Sequence, residues 1–165
     1  MDTPFPRSEV ILIFVDPFEW APQGDVTIAL HVGTHMLVTR PEVIQGDFRH
    51  ALAHEVAHYY WGSGNAPVWL REGGADFLAS YALDWSQWKS LADRRHDLDI
   101  GGTRTCATRG VQSIQQLSGD SDSPNFYCNY ALGEFLLLDL YQIMGPQGST
   151  CAWKQLYLLA ESEGR

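Results

Sequence analysis

Short apolar runs of the kind that form β-strands occupy the first forty residues of the chain. Val10–Val15 is rich in β-branched residues and is followed by an Asp-Pro turn signal. Two more short β-type runs, Val26–Leu30 and Thr34–Thr39, come next. An Arg-Pro pair ends the last run, because a residue before proline is disfavoured in helical backbone. The pattern predicts three short strands.

From residue 47 onward the apolar positions recur at helical spacing. The pattern predicts five helices: Asp47–Trp61, Pro67 to about Asp84, Ser86 to about Asp97, Tyr130–Met144 and Trp153–Glu163. A Gly-Pro pair ends the fourth of them. We also predict a loop over Gly101–Gly110 and a short helical turn over Val111–Leu117. Strands followed by helices are typical of an α+β domain, which is the fold class that we predict.

Length and composition are those of one globular domain. The chain has 165 residues, of which 45% are hydrophobic and 19% charged. We expect residues 1–165 to form a single domain, which could also belong to a longer chain. Its formal net charge of -9 argues against nucleic acid or an anionic membrane surface as a partner, because both require a basic surface. Its longest apolar run is too short for membrane insertion, which takes about 20 residues. We expect a monomer.

The three cysteines, Cys106, Cys128 and Cys151, are too few for a disulfide framework and form no CxxC pair. Cys106 and Cys128 could pair in an oxidising compartment and leave Cys151 unpaired, or all could be buried reduced thiols. The sequence leaves the compartment open, with a secreted or cell-envelope location slightly favoured over the cytoplasm.

The segment His54-Glu55-Val56-Ala57-His58 carries the strongest chemical signal in the chain. Residues four apart in a helix project from one face, so both imidazoles can reach one metal ion. Glu55 lies about 100° around the helix from His54, where its carboxylate can take a proton from water at the metal. This spacing is a metalloprotease signature; the alternative is a solvated helix that carries two histidines by chance.

Glu72 and Asp76 complete the predicted site. A catalytic zinc site needs three protein ligands and one open position, and Glu72 on the next predicted helix is the candidate third ligand. Gly73 and Gly74 follow it and cost about 1 kcal/mol each in helix propensity. A close approach of the two helices would explain why this cost is tolerated. Asp76 lies one turn beyond Glu72, and we expect it to accept a hydrogen bond from His54. The alternative is that both are surface carboxylates.

The segments HEVAH and WLREGGADF resemble the motifs of the gluzincin metallopeptidases, the clan that includes thermolysin and the zinc aminopeptidases. The resemblance covers about residues 48–81. It implies a zincin-like fold with zinc held by His54, His58 and Glu72. It also implies hydrolysis of peptide bonds in a peptide or protein substrate, with Glu55 as the general base that activates a zinc-bound water.

A weaker likeness precedes the motif. The run Thr34–Pro41 resembles the edge strand that lies over the cleft in this clan and pairs with an extended substrate, which implies that Thr34, His35 and Met36 bind substrate. The G-x-M-E-N signature, with which zinc aminopeptidases hold a substrate amino terminus, is missing from this part of the chain. The resemblance therefore favours an endopeptidase over an aminopeptidase-like enzyme.

Another weaker likeness follows the motif. Tyr130-Ala131-Leu132-Gly133 with Phe135 resembles the start of the next helix in single-domain members of the clan. It implies that Tyr130 stabilises the tetrahedral intermediate, with Tyr127 as the second candidate; packing of Tyr130 in the core is the alternative. A zinc-containing peptide-binding or regulatory domain with little or no catalysis is a further alternative, since the motif residues are necessary for catalysis and not sufficient.

Overall fold

The computed structural model describes residues 11–15, 29–32, 35–39, 48–59, 66–85, 89–120 and 122–163, with side chains described from Arg49 onward. The elements in chain order are β1 (Ile11–Val15), β2 (Ala29–Val32), β3 (His35–Thr39), α1 (Phe48–Ala57), α2 (Val68–Trp85), α3 (Leu91–Asp97), a π-helix (Leu98–Thr103), α4 (Arg104–Thr108), a 3₁₀ turn (Ile114–Gln116) and α5 (Cys128–Glu163).

The three strands are ordered β1-β3-β2, with β3 parallel to β1 and antiparallel to β2. His35 is opposite Ile11 on one side and Val32 on the other, so β3 is paired along both edges. The prediction that this run is an edge strand over the cleft is therefore wrong. Its backbone groups pair with two neighbouring strands and are not available to an extended substrate.

The predicted fold class, α+β and zincin-like, is also wrong: the three short strands pair with one another, but the described core is built by helices. The part of the chain whose side chains are described is 78% helical and contains no strand. The buried core lies between helices and includes Phe77 of α2, Leu98 of the π-helix and Leu138 of α5. Each strand is only four or five residues long, whereas the helices supply the faces that bury apolar surface against one another.

The predicted loop over Gly101–Gly110 is largely helical. The π-helix and α4 continue α3 without a break as far as Thr108. A glycine inside a helix costs only about 1 kcal/mol, and packing offsets that cost here: a Cβ built on Gly102 would lie 3.0 Å from Cβ of Ala131 on α5. Gly102 therefore marks a close helix contact, and the two glycines do not make this stretch a loop.

Helices α2 and α5 cross at two glycines. A Cβ built on Gly73 would lie 2.5 Å from Cα of Gly133, and one built on Gly133 would overlap the carbonyl oxygen of Trp69. Backbone therefore touches backbone at this crossing, which only glycine permits. The close approach predicted at Gly73 exists, but its partner is α5 and not α1.

The long helix α5 bends where the sequence predicts a helix end. Gly145 has φ 68° and ψ 177°, which is not helical, and Pro146 follows it. A positive φ is accessible to glycine, and proline cannot donate the next hydrogen bond of a helix. The predicted end at this Gly-Pro pair is confirmed, and a second helical segment continues from it to Glu163.

Cys106 and Cys128 form a disulfide that joins α4 to the first residue of α5. Both are fully buried, whereas Cys151 is exposed and free. Of the two alternatives that the sequence left open, the structure has the disulfide. Within the described residues, none of the helices combines the length and apolar character needed to cross a membrane.

Candidate metal centre

The two motif histidines and Glu72 converge in the structure as predicted. His54 in the last turn of α1 and His58 directly after its end face α2, and their Nε2 atoms lie 3.0 Å apart. Glu72, in the second turn of α2, places Oε2 3.4 Å from each of these nitrogens. One imidazole nitrogen from each histidine and one carboxylate oxygen thus face a common point. Glu72 forms an ion pair with each histidine there, and the two imidazole nitrogens are within hydrogen-bond distance.

This arrangement fits a bound divalent cation. A tetrahedral ion with ligand bonds of about 2.0–2.1 Å separates neighbouring ligand atoms by about 3.3–3.4 Å. The observed separations of 3.0, 3.4 and 3.4 Å are close to that edge length. Two imidazoles and one carboxylate form a set that zinc accepts, although nitrogen and oxygen ligands suit other divalent transition metals as well. The geometry supports a metal site and does not select zinc.

Asp76 is hydrogen-bonded to the His54 nitrogen that faces away from Glu72, as predicted. His54 Nδ1 donates to Asp76 Oδ1 over 2.7 Å, and both residues are buried. Asp76 follows Glu72 by one turn of α2, which brings both carboxylates to the α1 side. Because Nδ1 faces Asp76, Nε2 is turned toward the point that His58 and Glu72 also face, where its lone pair could bind a metal.

Burial and hydrogen bonds shift the pKa values of two of the three side chains. Burial lowers the pKa of His54, but hydrogen bonds to Asp76 and Glu72 outweigh it and raise the pKa to about 10. Burial raises the pKa of Glu72, and hydrogen bonds to His54 and His58 outweigh it and hold the pKa well below its usual range. The proton therefore stays on His54 and faces the Glu72 carboxylate, and a bound metal cation would have to displace it.

Glu55 lies on α1 between the two histidines and is partly buried. Its negative charge raises the pKa of both His54 and Tyr130, although less than the carboxylates of Glu72 and Asp76 do. The carboxylate is thus near enough for its charge to act on both side chains, and its role as general base stays a prediction. The three ligands themselves leave a position open for water or substrate in a four-coordinate site.

Tyr130, in the first turn of α5, contacts two of the ligands. Its ring stacks on His54, with centroids 5.6 Å apart and planes at 23°, and it also makes a T-shaped contact with Phe126. Burial, followed by the charge of Glu72 and a hydrogen bond to it, raises the pKa of Tyr130 above its usual range. The hydroxyl therefore stays protonated and is a donor at the site. Tyr127, the second candidate, is 51% exposed.

The role of the predicted substrate-binding residues stays a prediction, because their side chains lie outside the described part of the chain. Thr34 lies outside the described residues, and His35 and Met36 belong to the central strand β3, with side chains outside the description. The resemblance that implied their role depended on an edge strand, and β3 is not one.

A buried polar cluster next to the site was not predicted. Glu134 is fully buried and accepts hydrogen bonds from Ser80 and Arg94. One signal in the sequence could have indicated it. Glu134 is the single charged residue in the apolar run 130–138, and a buried carboxylate requires a partner.

Comparisons of the chain with protein-family models, with curated proteins and with solved structures gave no match. The likeness to gluzincins therefore depends on the motif residues and their geometry.

Proposed function

We propose that the chain is a zinc-dependent metallopeptidase of endopeptidase type. The observation that carries the proposal is the convergence of three ligand atoms, from His54, His58 and Glu72, within 3.0–3.4 Å of one another. The placement of Asp76 behind His54 supports it, because a carboxylate on the outer nitrogen of a metal-bound histidine is the usual arrangement in zinc sites.

A zinc ion at this point would polarise the scissile carbonyl and lower the pKa of a water molecule toward about 7. The residues of the chain supply the remaining chemistry. Glu55 would accept the proton of that water and pass it to the leaving amine as the C–N bond breaks. Asp76 would keep the proton on Nδ1 of His54 and so keep the ring in its ligand orientation.

Tyr130 would provide the hydrogen bond to the oxygen that becomes negative. Its hydroxyl remains protonated and is bonded to Glu72; rotation away from that carboxylate would present the same proton to substrate. A donor of this type is worth about 2.7–4 kcal/mol in comparable sites. The ring itself is held by its stacking on His54 and by Phe126.

Zinc content and turnover of three proteins test the proposal: the wild type, Glu55→Gln and Asp99→Asn. The wild type should hold one zinc ion and cleave internal bonds of a quenched fluorogenic peptide library. Glu55→Gln should hold zinc and lose turnover, because the amide keeps the size of the carboxylate and cannot accept the proton. Asp99 is exposed, and its charge-matched change should leave both unaltered.

The outcomes separate the alternatives. Zinc bound without cleavage of any peptide would contradict the enzyme and favour a peptide-binding or regulatory domain. Removal of single residues from free amino termini only would point to an aminopeptidase-like enzyme. A purified wild type without affinity for zinc would end the proposal altogether.

A further inference from the structure

Four helices meet at the buried carboxylate of Glu134 on α5. Arg94 of α3 donates to it twice, with Nε 2.8 Å from Oε1 and Nη2 2.6 Å from Oε2. Ser80 of α2 donates its hydroxyl to Oε1 over 2.5 Å. His50 of α1 completes the group, with Nε2 3.2 Å from Oγ of Ser80 and 3.9 Å from Oε1 of Glu134. We call these four residues the Glu134 cluster.

On α1, α2 and α5, the residue of the Glu134 cluster lies one helical turn from a residue of the candidate metal centre. His50 precedes His54 by four residues, Ser80 follows Asp76 by four, and Glu134 follows Tyr130 by four.

Residues four apart share a helix face, so the cluster forms a second layer beside the ligands. A direct link between the layers exists as well, since Nδ1 of His50 is 3.8 Å from Oδ1 of Asp76.

We propose that Glu134, through Ser80 and His50, is a positioning residue that fixes α1, α2 and α5 in the register that the metal centre requires; this inference rests on the proposed function. Ligand atoms must be held within about 0.5 Å of their working positions. A fully buried carboxylate is stable only while its partners stay in place, because an unpaired charge in the interior is costly. Sliding or rotating α2 would break the short bond from Ser80 and leave Glu134 with fewer donors.

A neighbouring ion pair provides a matched control. Arg95 directly follows Arg94 on α3. Its Nε donates to Oδ1 of Asp139 on α5 over 2.6 Å. Both are about one-third exposed. This pair joins the same two helices at the surface, so its loss tests helix attachment apart from the Glu134 cluster.

The experiment measures the zinc dissociation constant of the full chain by competition with a chelating dye, for Ser80→Ala, Glu134→Gln and Asp139→Asn. The visible spectrum of the cobalt(II)-loaded protein reports ligand geometry, and the unfolding temperature is recorded separately. Ser80→Ala and Glu134→Gln should each weaken zinc binding about tenfold or more, the lower end of what outer partners of metal ligands contribute, and should alter the cobalt spectrum. Asp139→Asn should keep the wild-type affinity and spectrum.

A merely structural role would lower the unfolding temperature of Ser80→Ala and leave its zinc affinity within about twofold of wild type, and that result would overturn the inference. If Glu134→Gln does not fold, Ser80→Ala decides, because it keeps the Arg94 pair intact. A wild-type chain that binds no zinc would overturn the proposed function and the inference together, whereas a wild type that binds zinc beside an unaffected Ser80→Ala would overturn the inference alone.

Discussion

His54 and Asp76 form a buried hydrogen bond of 2.7 Å between α1 and α2. It orients His54 in the candidate metal site, because it directs Nδ1 toward Asp76 and leaves Nε2 facing Glu72 and His58. Its length is that of a charge-assisted bond, which is stronger than one between neutral groups. The relationship leads directly to a test of the site that needs no substrate.

Replacing Asp76 by Asn should weaken zinc binding by about 10–100-fold, because the amide accepts a weaker hydrogen bond and leaves His54 less basic. The measurement is the zinc dissociation constant by competition with a chelator. Asp99→Asn is the control, since it removes one negative charge from an exposed position on the π-helix. An Asp76→Asn protein with wild-type affinity would show that the carboxylate does not orient the ligand.

Zinc should stabilise the fold, because its ligands come together only in the folded chain. At 100 times the dissociation constant, one bound ion adds about 2.7 kcal/mol, which for a chain of this size raises the unfolding temperature by about 5–10 °C. His58→Ala should abolish the shift, whereas His96→Ala, at an exposed position on α3, should retain it. Equal shifts in both variants would place the ion elsewhere.

Tyr130→Phe distinguishes two roles of the hydroxyl. If it stabilises the oxyanion, kcat should fall about 100–1000-fold, equivalent to about 2.7–4 kcal/mol, with zinc affinity unchanged. The ring remains in the variant, so its stacking on His54 is kept. Loss of zinc affinity with normal turnover at saturating zinc would instead assign the hydroxyl to Glu72, to which it is hydrogen-bonded.

Local spacing explains why the ligand set could be predicted. His54 and His58 share a helix face for any α-helix at that position, and Glu72 and Asp76 share one on the next helix. The meeting of the two faces then depends on one short connection. The helix end at Gly145 was predictable for the same reason, since a positive φ and the following proline act on the nearest residues alone.

What the sequence did not reveal depends on contacts between distant elements. The place of β3 between two other strands cannot be read from its own apolar pattern. Ser80 and Arg94 look like ordinary helix residues in the sequence. Their common partner, Glu134, is 54 positions from the first and 40 from the second. Gly73 was expected to face α1, but the residue small enough to meet its backbone, Gly133, lies on α5.

Gly73→Ala should destabilise the fold by about 1–3 kcal/mol or more, the usual range for overpacking. The added Cβ would fall 2.5 Å from Cα of Gly133, and backbone cannot move aside as a side chain can. The measurement is the free energy of unfolding in urea. Gly101→Ala is the matched control, because no atom lies within 4 Å of its Cβ; removing a helical glycine there should stabilise by about 0.5–1 kcal/mol. Equal effects of the two changes would contradict the tight crossing.

The disulfide between Cys106 and Cys128 should contribute about 3 kcal/mol to stability, the value that chain entropy gives for a loop of this length; the two residues are 22 apart. The test compares urea unfolding of Cys151→Ser with that of the same protein carrying Cys106→Ala and Cys128→Ala. Cys151→Ser is the background because its exposed thiol could exchange with the disulfide. Adding reductant should lower the stability of the first protein and leave the second unchanged. Two titratable thiols in the unreduced first protein would show that the pair is not oxidised.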